Sequence, residues 1–113
     1  MIGFEFGDVV LVPFPFTDQS TRKQRPAVVI SSDPYHRERP DLLLLAVTSQ
    51  QRPASGVGEV AIRHWKESGL LRPSVFKPLV ATLERRRVRR KLGRLADEDR
   101  RALRGVLDAI FGR

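Results

Sequence analysis

Two polar residues lie at the ends of apolar runs, and their types suit phosphate chemistry. Arg25 precedes Pro26 at the start of one run, and Thr48 lies near the end of another, "LLLLAVTSQ". A guanidinium offers five donors in a planar fork that fits a phosphate, and a threonine hydroxyl adds one more. If the two runs are strands of one sheet, their adjoining ends would bring both groups to a phosphoryl group approaching a pentacoordinate state. The ordinary alternatives, a surface ion pair for Arg25 and a β-branched strand residue for Thr48, stay open.

Other residues and motifs typical of catalytic sites are few in this sequence. The two histidines, His36 and His64, lie in different predicted loops or turns, and we interpret them as surface or packing residues. The absence of cysteine excludes disulfides, thiolate nucleophiles and cysteine-based zinc sites. The aspartates are scattered without a D-x-D pair, and Gly56 and Gly58 alone are weak evidence for a phosphate loop. We therefore predict no metal and no cofactor.

The charge of the chain favours an anionic partner. Its 113 residues include 21 Lys and Arg against 13 Asp and Glu, which gives a formal net charge of +8. Such a field attracts nucleic acid or an acidic protein, although a surface that only confers solubility has a similar composition. The densest basic segment, "ERRRVRRK" at 84–91, is a candidate contact for RNA or an acidic partner, or else a solvated face.

Short apolar runs separated by polar loops predict a small β-barrel or sandwich. The predicted strands are 9–14, 26–32, 42–49 and 59–63, and 74–84 is extended, with Pro78 marking an edge strand or a bend. We predict polar loops at 17–24, 32–41 and 51–58, and a helical turn that begins at His64 and ends at Gly69.

The C-terminus predicts the one long helix. Asp97 is placed to cap it, and an apolar stripe recurs at helical spacing. The stripe consists of Leu103, Val106, Leu107, Ile110 and Phe111. No linker, repeat, basic leader or apolar run of about 20 residues is present, so we expect one domain over 1–113, in the cytoplasm and without a membrane span.

Several segments in order resemble one known family. They are "GDVVLVPFPFTDQSTRKQRPAVVIS" at 7–31, "LLLLAVTSQ", "GLLRPSVFKP", and "LGRL" before the terminal helix. Together they resemble the MazF/PemK family of toxins from bacterial type II toxin–antitoxin systems. The resemblance implies a compact SH3-like β-barrel with a C-terminal helix and a homodimer. It also implies a sequence-selective endoribonuclease that cleaves single-stranded mRNA without metal and leaves 2′,3′-cyclic phosphate and 5′-hydroxyl ends. The resemblance further implies that an acidic antitoxin holds this enzyme inactive.

The resemblance also assigns roles to residues of this chain. The catalytic arginine of the family falls on Arg25, and its catalytic threonine or serine falls on Thr48. The implied RNA-binding positions are Thr17, Ser20, Lys23, Ser49, Gln50 and Ser74. A guanidinium with a pKa above about 12 is a poor proton shuttle, so we assign Arg25 chiefly to stabilising charge on the phosphorane and Thr48 to orienting a phosphate oxygen. Because Pro26 restricts Arg25 to extended geometry, we expect the guanidinium at the mouth of a groove.

Two other functions are compatible with the same chain. One is a non-enzymatic toxin of this fold that inhibits DNA gyrase, as the related CcdB family does, and the other is a basic RNA-binding module without turnover. Leu79 and Ala81 stand where many family members carry polar residues of a Gln-x-Arg-Thr stretch, so base preference and activity are open at this point. The pairing of Arg25 with Thr48 favours the enzyme, since neither alternative needs it.

Overall fold

A five-stranded antiparallel sheet forms the centre of the computed structural model, which describes residues 3–13 and 24–112. The strands are β1 (Asp8–Val12), β2 (Arg25–Val29), β3 (Asp41–Ser49), β4 (Ser74–Glu84) and β5 (Arg90–Arg94). Their order across the sheet is β4-β3-β2-β1-β5. Two α-helices, α1 (Asp33–Glu38) and α2 (Asp97–Ile110), and a 3-10 turn (Arg85–Arg87) accompany them. This is the mainly β fold with a C-terminal helix that the sequence predicts.

Both faces of the sheet are buried, which explains why the strands read as continuous apolar runs. Successive side chains of a strand point to opposite faces, so Val9 and Val10 enter two different clusters. The first cluster continues through Val28, Leu45 and Phe76 to α2. The second lies on the opposite face of the sheet and includes Val10, Val12, Ala27, Val29, Leu42, Leu44, Ala46, Ala81 and Leu83. The sheet is therefore a rigid platform for the residues at its ends.

Helix α2 packs on the sheet through its apolar stripe, with two differences from the prediction. Leu103 and Val106 are buried, but Phe111 lies beyond the helix end and is 50% exposed. Ala96, not Asp97, occupies the N-cap position, and Asp97 instead pairs with Arg100 one turn later. Asp99, in the first turn of α2, is a buried carboxylate that is not among the predicted site residues.

Two local predictions were wrong or incomplete, and a third agrees with the structure. The segment predicted as a loop at 32–41 contains α1, which begins with Ser32 accepting a hydrogen bond from the Tyr35 N–H and with Pro34 in its first turn. The predicted strand at 59–63 is reduced to one bridge between Ala61 and Val75. β4 is the edge strand that Pro78 indicates, and the pairing between β3 and β4 shifts register beside this proline, which has no N–H to donate.

The turn after 62 is attached to the N-terminus of α2 by carboxylates. Asp99 accepts hydrogen bonds from the backbone N–H groups of Arg63 and His64, at 2.9 and 2.8 Å. His64 Nε2 lies 2.8 Å from Glu98 Oε1, and its Nδ1 lies 3.3 Å from Glu67 Oε2. The hydrogen bond to Glu98, helped by the charges of Asp99 and Glu67 and opposed by desolvation, raises the pKa of His64 above its ordinary value.

This pair predicts a pH-dependent contribution to stability. Because the folded-state pKa of His64 is raised, the contribution is complete below the ordinary pKa of about 6.5 and is lost as pH rises through the raised value. We expect the difference in unfolding free energy between the wild type and His64→Gln to shrink over that pH range. NMR titration of His64 provides the direct check, since Glu98→Gln should lower its midpoint. An unchanged midpoint in Glu98→Gln would contradict the assignment to this hydrogen bond.

Candidate active site

One end of the sheet collects most of the polar residues that the sequence singles out. Because neighbouring strands are antiparallel, this end is built from the last residues of β1 and β3 and the first residues of β2, β4 and β5. In sheet order, the residues there are Ser74, Ser49 with Thr48, Arg25, Val12 and Arg90. Residues far apart in the sequence thus meet without a long connecting loop.

Arg25 and Thr48 lie at adjoining ends of neighbouring strands. The register pairs Ala27 with Ala46, so the start of β2, with Arg25, and the end of β3, with Thr48, lie at the same end of the sheet. On its other side Arg25 pairs with Val12 of β1. The adjoining strand ends therefore bring Arg25 and Thr48 to one region of the surface, where both line the same cleft.

Both residues line a cleft of about 320 Å³. Its polar lining residues are three arginines and three hydroxyl residues, Arg25, Arg72, Arg90, Thr48, Ser49 and Ser74. Its apolar lining residues include Leu11 and Leu92. No carboxylate is among the described lining residues, so the cleft carries a positive potential that suits a phosphate.

The loop 69–72 forms one wall of this cleft. Gly69 has a φ of +88°, a conformation that favours glycine because side chains with a Cβ are strained there. A Cβ on Gly69 would also overlap the carbonyl oxygen of Leu92, while a Cβ on Gly93 would overlap that of Ser68. The two glycines let the turn lie directly on β5, and this contact places Arg72 beside the sheet end.

The remaining predicted contacts are divided between the cleft and a neighbouring depression. Ser74 is buried, and its hydroxyl donates to the Arg72 carbonyl at 2.8 Å, so it holds the bend at the cleft wall. Ser49 faces Ser74 across β3 and β4, and its hydroxyl accepts from Gln51. Gln50 lies in a depression of about 190 Å³ on the other side of the β3 end, not in the cleft with Arg25.

Charged residues surround that depression. Lys77 Nζ donates to Glu59 Oε2 at 2.8 Å, and this hydrogen bond lowers the pKa of Glu59 despite partial desolvation. Thr48 and Ser49 line both the cleft and the depression, so the end of β3 separates the two. The predicted contacts Thr17, Ser20 and Lys23 lie outside the described residues.

Two arginines that line the cleft, Arg72 and Arg90, are not among the site residues predicted from the sequence. Arg72 precedes Pro73, so it carries the same Arg-Pro signal that points to Arg25. Arg90 belongs to the basic segment 84–91, where charge alone does not separate it from its neighbours. Its position follows from pairing with Leu11 of β1, which is a long-range contact.

The two departures from the family pattern lie away from the cleft. Ala81 of β4 is buried in the second cluster and pairs with Leu44, and Leu79 is exposed on the edge strand. Neither lines the cleft. Within the described ranges, no three His, Asp or Glu side chains are grouped closely enough to hold a metal ion, and no helix is long and apolar enough to cross a membrane.

Comparisons with known proteins agree on one family and one fold. The family described as PemK-like, MazF-like toxin of type II toxin–antitoxin system matches residues 5–111. A comparison with curated protein sequences found no match. Among solved structures, an endoribonuclease in complex with its cognate antitoxin from a mycobacterial species superposes with a TM-score of 0.74 at 17% identity, covering 96% of this chain and 94% of that one.

Two further mycobacterial structures are similar over comparable lengths. The Mycobacterium tuberculosis toxin MazF-mt6 gives a TM-score of 0.67 at 18% identity, with 91% of each chain covered. An endoribonuclease from a mycobacterial species gives 0.67 at 19% identity, covering 99% of this chain and 98% of that one. At these identities the structures show a shared fold, which confirms the fold class predicted from the sequence.

Proposed function

The chain belongs to the family of PemK-like, MazF-like toxins of type II toxin–antitoxin systems, and on that premise we propose that it is an endoribonuclease that cleaves single-stranded mRNA without a metal ion. The observation that carries the proposal is that Arg25 and Thr48 line one cleft whose described lining holds two more arginines and no carboxylate. A cleft of this composition binds a phosphodiester and stabilises additional negative charge on it.

The proposed reaction is an in-line transfer within the RNA. The 2′-oxygen attacks the adjacent phosphorus and forms a new P–O bond, and the bond from phosphorus to the 5′-oxygen breaks. The 2′-proton passes to water and the departing 5′-oxygen takes a proton from water, which leaves a 2′,3′-cyclic phosphate and a 5′-hydroxyl. Arg25 donates to the non-bridging oxygens as their charge grows, and the Thr48 hydroxyl donates to one of them. Since a guanidinium keeps its proton in proteins, Arg25 acts by charge and geometry.

The proposal extends to partners and to the surrounding contacts. The net charge of +8 suits an acidic antitoxin, and one similar structure is described as an endoribonuclease in complex with its cognate antitoxin. We also propose that the protein is a homodimer, as the family resemblance implies. Ser49 and Ser74 at the cleft, Gln50 beside it, and Thr17, Ser20 and Lys23 before Arg25 are proposed RNA contacts. Light scattering on the purified protein tests the dimer, and twice the chain mass is expected.

A cleavage assay in chelator tests the proposed activity. Purified protein is incubated with a long single-stranded RNA in EDTA, and the product ends are identified. We expect fragments with 2′,3′-cyclic phosphate and 5′-hydroxyl ends, and an Arg25→Ala preparation purified in parallel detects contaminating ribonuclease. Cleavage that requires added magnesium would contradict the mechanism. Inhibition of gyrase supercoiling without RNA cleavage would favour the non-enzymatic toxin, and RNA binding without cleavage would favour the binding module.

A further inference from the structure

A second groove, larger than the cleft, lies beside it and is lined by arginines. This basic groove has a volume of about 800 Å³. Its described lining residues are Arg86, Arg87, Arg89 and Arg90 with Leu11, Pro13, Gln24 and Val88. The four arginines belong to the segment 84–91, which the sequence marks as the densest positive charge but leaves without a defined role.

The arginines of the basic groove differ in how far their charge is already neutralised. Arg86 lies 3.2 Å from Glu84. Over the described ranges 3–13 and 24–112, no carboxylate lies within ion-pair distance of Arg87, Arg89 or Arg90. All three are exposed. Positive charge held at a concave surface without a countercharge from its own described neighbours is the usual footprint of a polyanion site.

The backbone of the groove is held in place by contacts on both sides. The Arg89 N–H donates to the Leu11 carbonyl at 2.9 Å, which fixes the segment to β1. Arg85 points away from the groove and donates to the carbonyls of His36, Arg39 and Pro40, which fixes the segment to the end of α1. The exposed arginines therefore project from a preorganised support, which reduces the ordering cost of binding.

The basic groove and the cleft are continuous. Arg90 and Leu11 are register partners on β5 and β1, and both line the cleft as well as the groove. The cleft, at about 320 Å³, is at the small end of ligand sites, so an RNA strand bound there must leave it. The groove provides a positively charged exit for that strand.

We propose that the basic groove binds the phosphate backbone of single-stranded RNA flanking the scissile bond, an inference that rests on the proposed ribonuclease function. Phosphates are favoured over a protein partner because the core of a protein interface is apolar. The large apolar side chains that are exposed, such as Leu71 and Phe111, lie outside the groove, and Val88 packs against the core. The described lining offers arginines rather than aromatic side chains, so its described residues suit the phosphate backbone rather than the bases.

Salt-dependent binding of uncleavable RNA tests this inference. Mixed-sequence 2′-O-methyl oligonucleotides lack the attacking hydroxyl, so they bind without being cleaved. An oligonucleotide of about 4 nucleotides reports binding in the cleft alone, and one of about 20 nucleotides reports binding in the cleft and the basic groove. Fluorescence anisotropy gives Kd over a range of salt concentrations. The double variant Arg87→Gln/Arg89→Gln is compared with Arg37→Gln/Arg101→Gln, which makes the same charge change at exposed positions of α1 and α2 outside the groove.

For the long oligonucleotide, the plot of log affinity against log salt should be less steep by about 1.4 in the groove variant. The variant loses two phosphate contacts, and each contact to a single strand contributes about 0.7 to the slope. Binding of the short oligonucleotide should not change, and the control variant should keep the wild-type slope. Equal slopes in both variants would overturn the inference. Loss of poly-L-glutamate binding with unchanged oligonucleotide binding would overturn it in favour of an acidic protein.

The same preparations separate this inference from the proposed function. If the wild type cleaves unmodified RNA but the groove variant keeps the wild-type salt slope, RNA binding by the basic groove is overturned and the ribonuclease function is not. If the groove variant has a less steep salt slope but the wild type cleaves no RNA, the result supports RNA binding by the basic groove and contradicts the proposed ribonuclease function. Circular dichroism of both double variants should match the wild type, because the four substituted side chains are exposed.

Discussion

Arg25→Ala should lower kcat/KM for RNA cleavage by at least about a hundredfold, most of it in kcat. Arg25 lines the cleft together with Thr48, and in the proposed mechanism its planar fork follows the charge that develops on the phosphorane oxygens. Arg25→Lys keeps the charge but loses the planar fork, so it should recover only part of the rate. Single-turnover cleavage in EDTA provides the measurement, with Arg101→Ala on the exposed face of α2 as the control.

Thr48 provides the second half of the same prediction. Thr48→Val preserves the β-branched shape but removes the hydroxyl, and we expect a loss of about tenfold to a hundredfold in kcat. Thr48→Ser keeps the hydroxyl and should stay within a few-fold of the wild type. Because both groups act on one phosphate, the losses in an Arg25→Ala/Thr48→Val double variant should not add. Additive losses, or an Arg25→Ala enzyme as active as the wild type, would contradict the shared site.

The strands and the central pair of the site could be read from the sequence because their signals are local. Apolar runs with turn residues between them indicate β2 and β3, and sequential strands usually pair, so the placement of Arg25 and Thr48 at adjoining strand ends follows from adjacency. The antiparallel register then leaves little freedom at the strand ends. Family resemblance adds Ser49 and Ser74, which the structure brings to the same end.

The arginines contributed by distant segments could not be read in this way. Arg90 reaches the cleft because β5 pairs with β1, which is not its neighbour in sequence, and Arg72 reaches it because the turn at Gly69 lies on β5. Both placements depend on long-range packing. The individual arginines of the segment 84–91 also could not be told apart from the sequence. In the structure, a 3-10 turn directs Arg85 toward the His36 carbonyl of α1, whereas Arg87 and Arg89 are exposed.

The helix α1 was missed for a different physical reason. Its segment contains two prolines and many polar residues, a composition typical of loops. Pro34 is nevertheless compatible with a first helical turn, where its missing N–H has no intrahelical partner to lose. The short helix buries none of its residues, so no apolar periodicity marks it in the sequence.

Gly69→Ala should lower the free energy of unfolding by at least about 2 kcal/mol, since left-handed backbone strain and overpacking each cost about 1–3 kcal/mol. The residue has a φ of +88°, and the added methyl group would meet the Leu92 carbonyl. Gly105→Ala is the matched control, because Gly105 lies within α2 with no atom near its added Cβ. That control should gain about 0.5–1 kcal/mol. Urea unfolding monitored by circular dichroism measures both.

The same substitution connects the stability of the fold to the cleft. Relief of the clash requires the turn to move away from β5, and Leu70, Leu71 and Arg72 of the cleft wall would move with it. Gly69→Ala should therefore lose RNA cleavage even at temperatures where it remains folded, whereas Gly105→Ala should keep wild-type activity. Equal stabilities of the two variants would show that the turn does not require glycine. Full activity in a destabilised Gly69→Ala would show that the wall formed by 69–72 does not position the substrate.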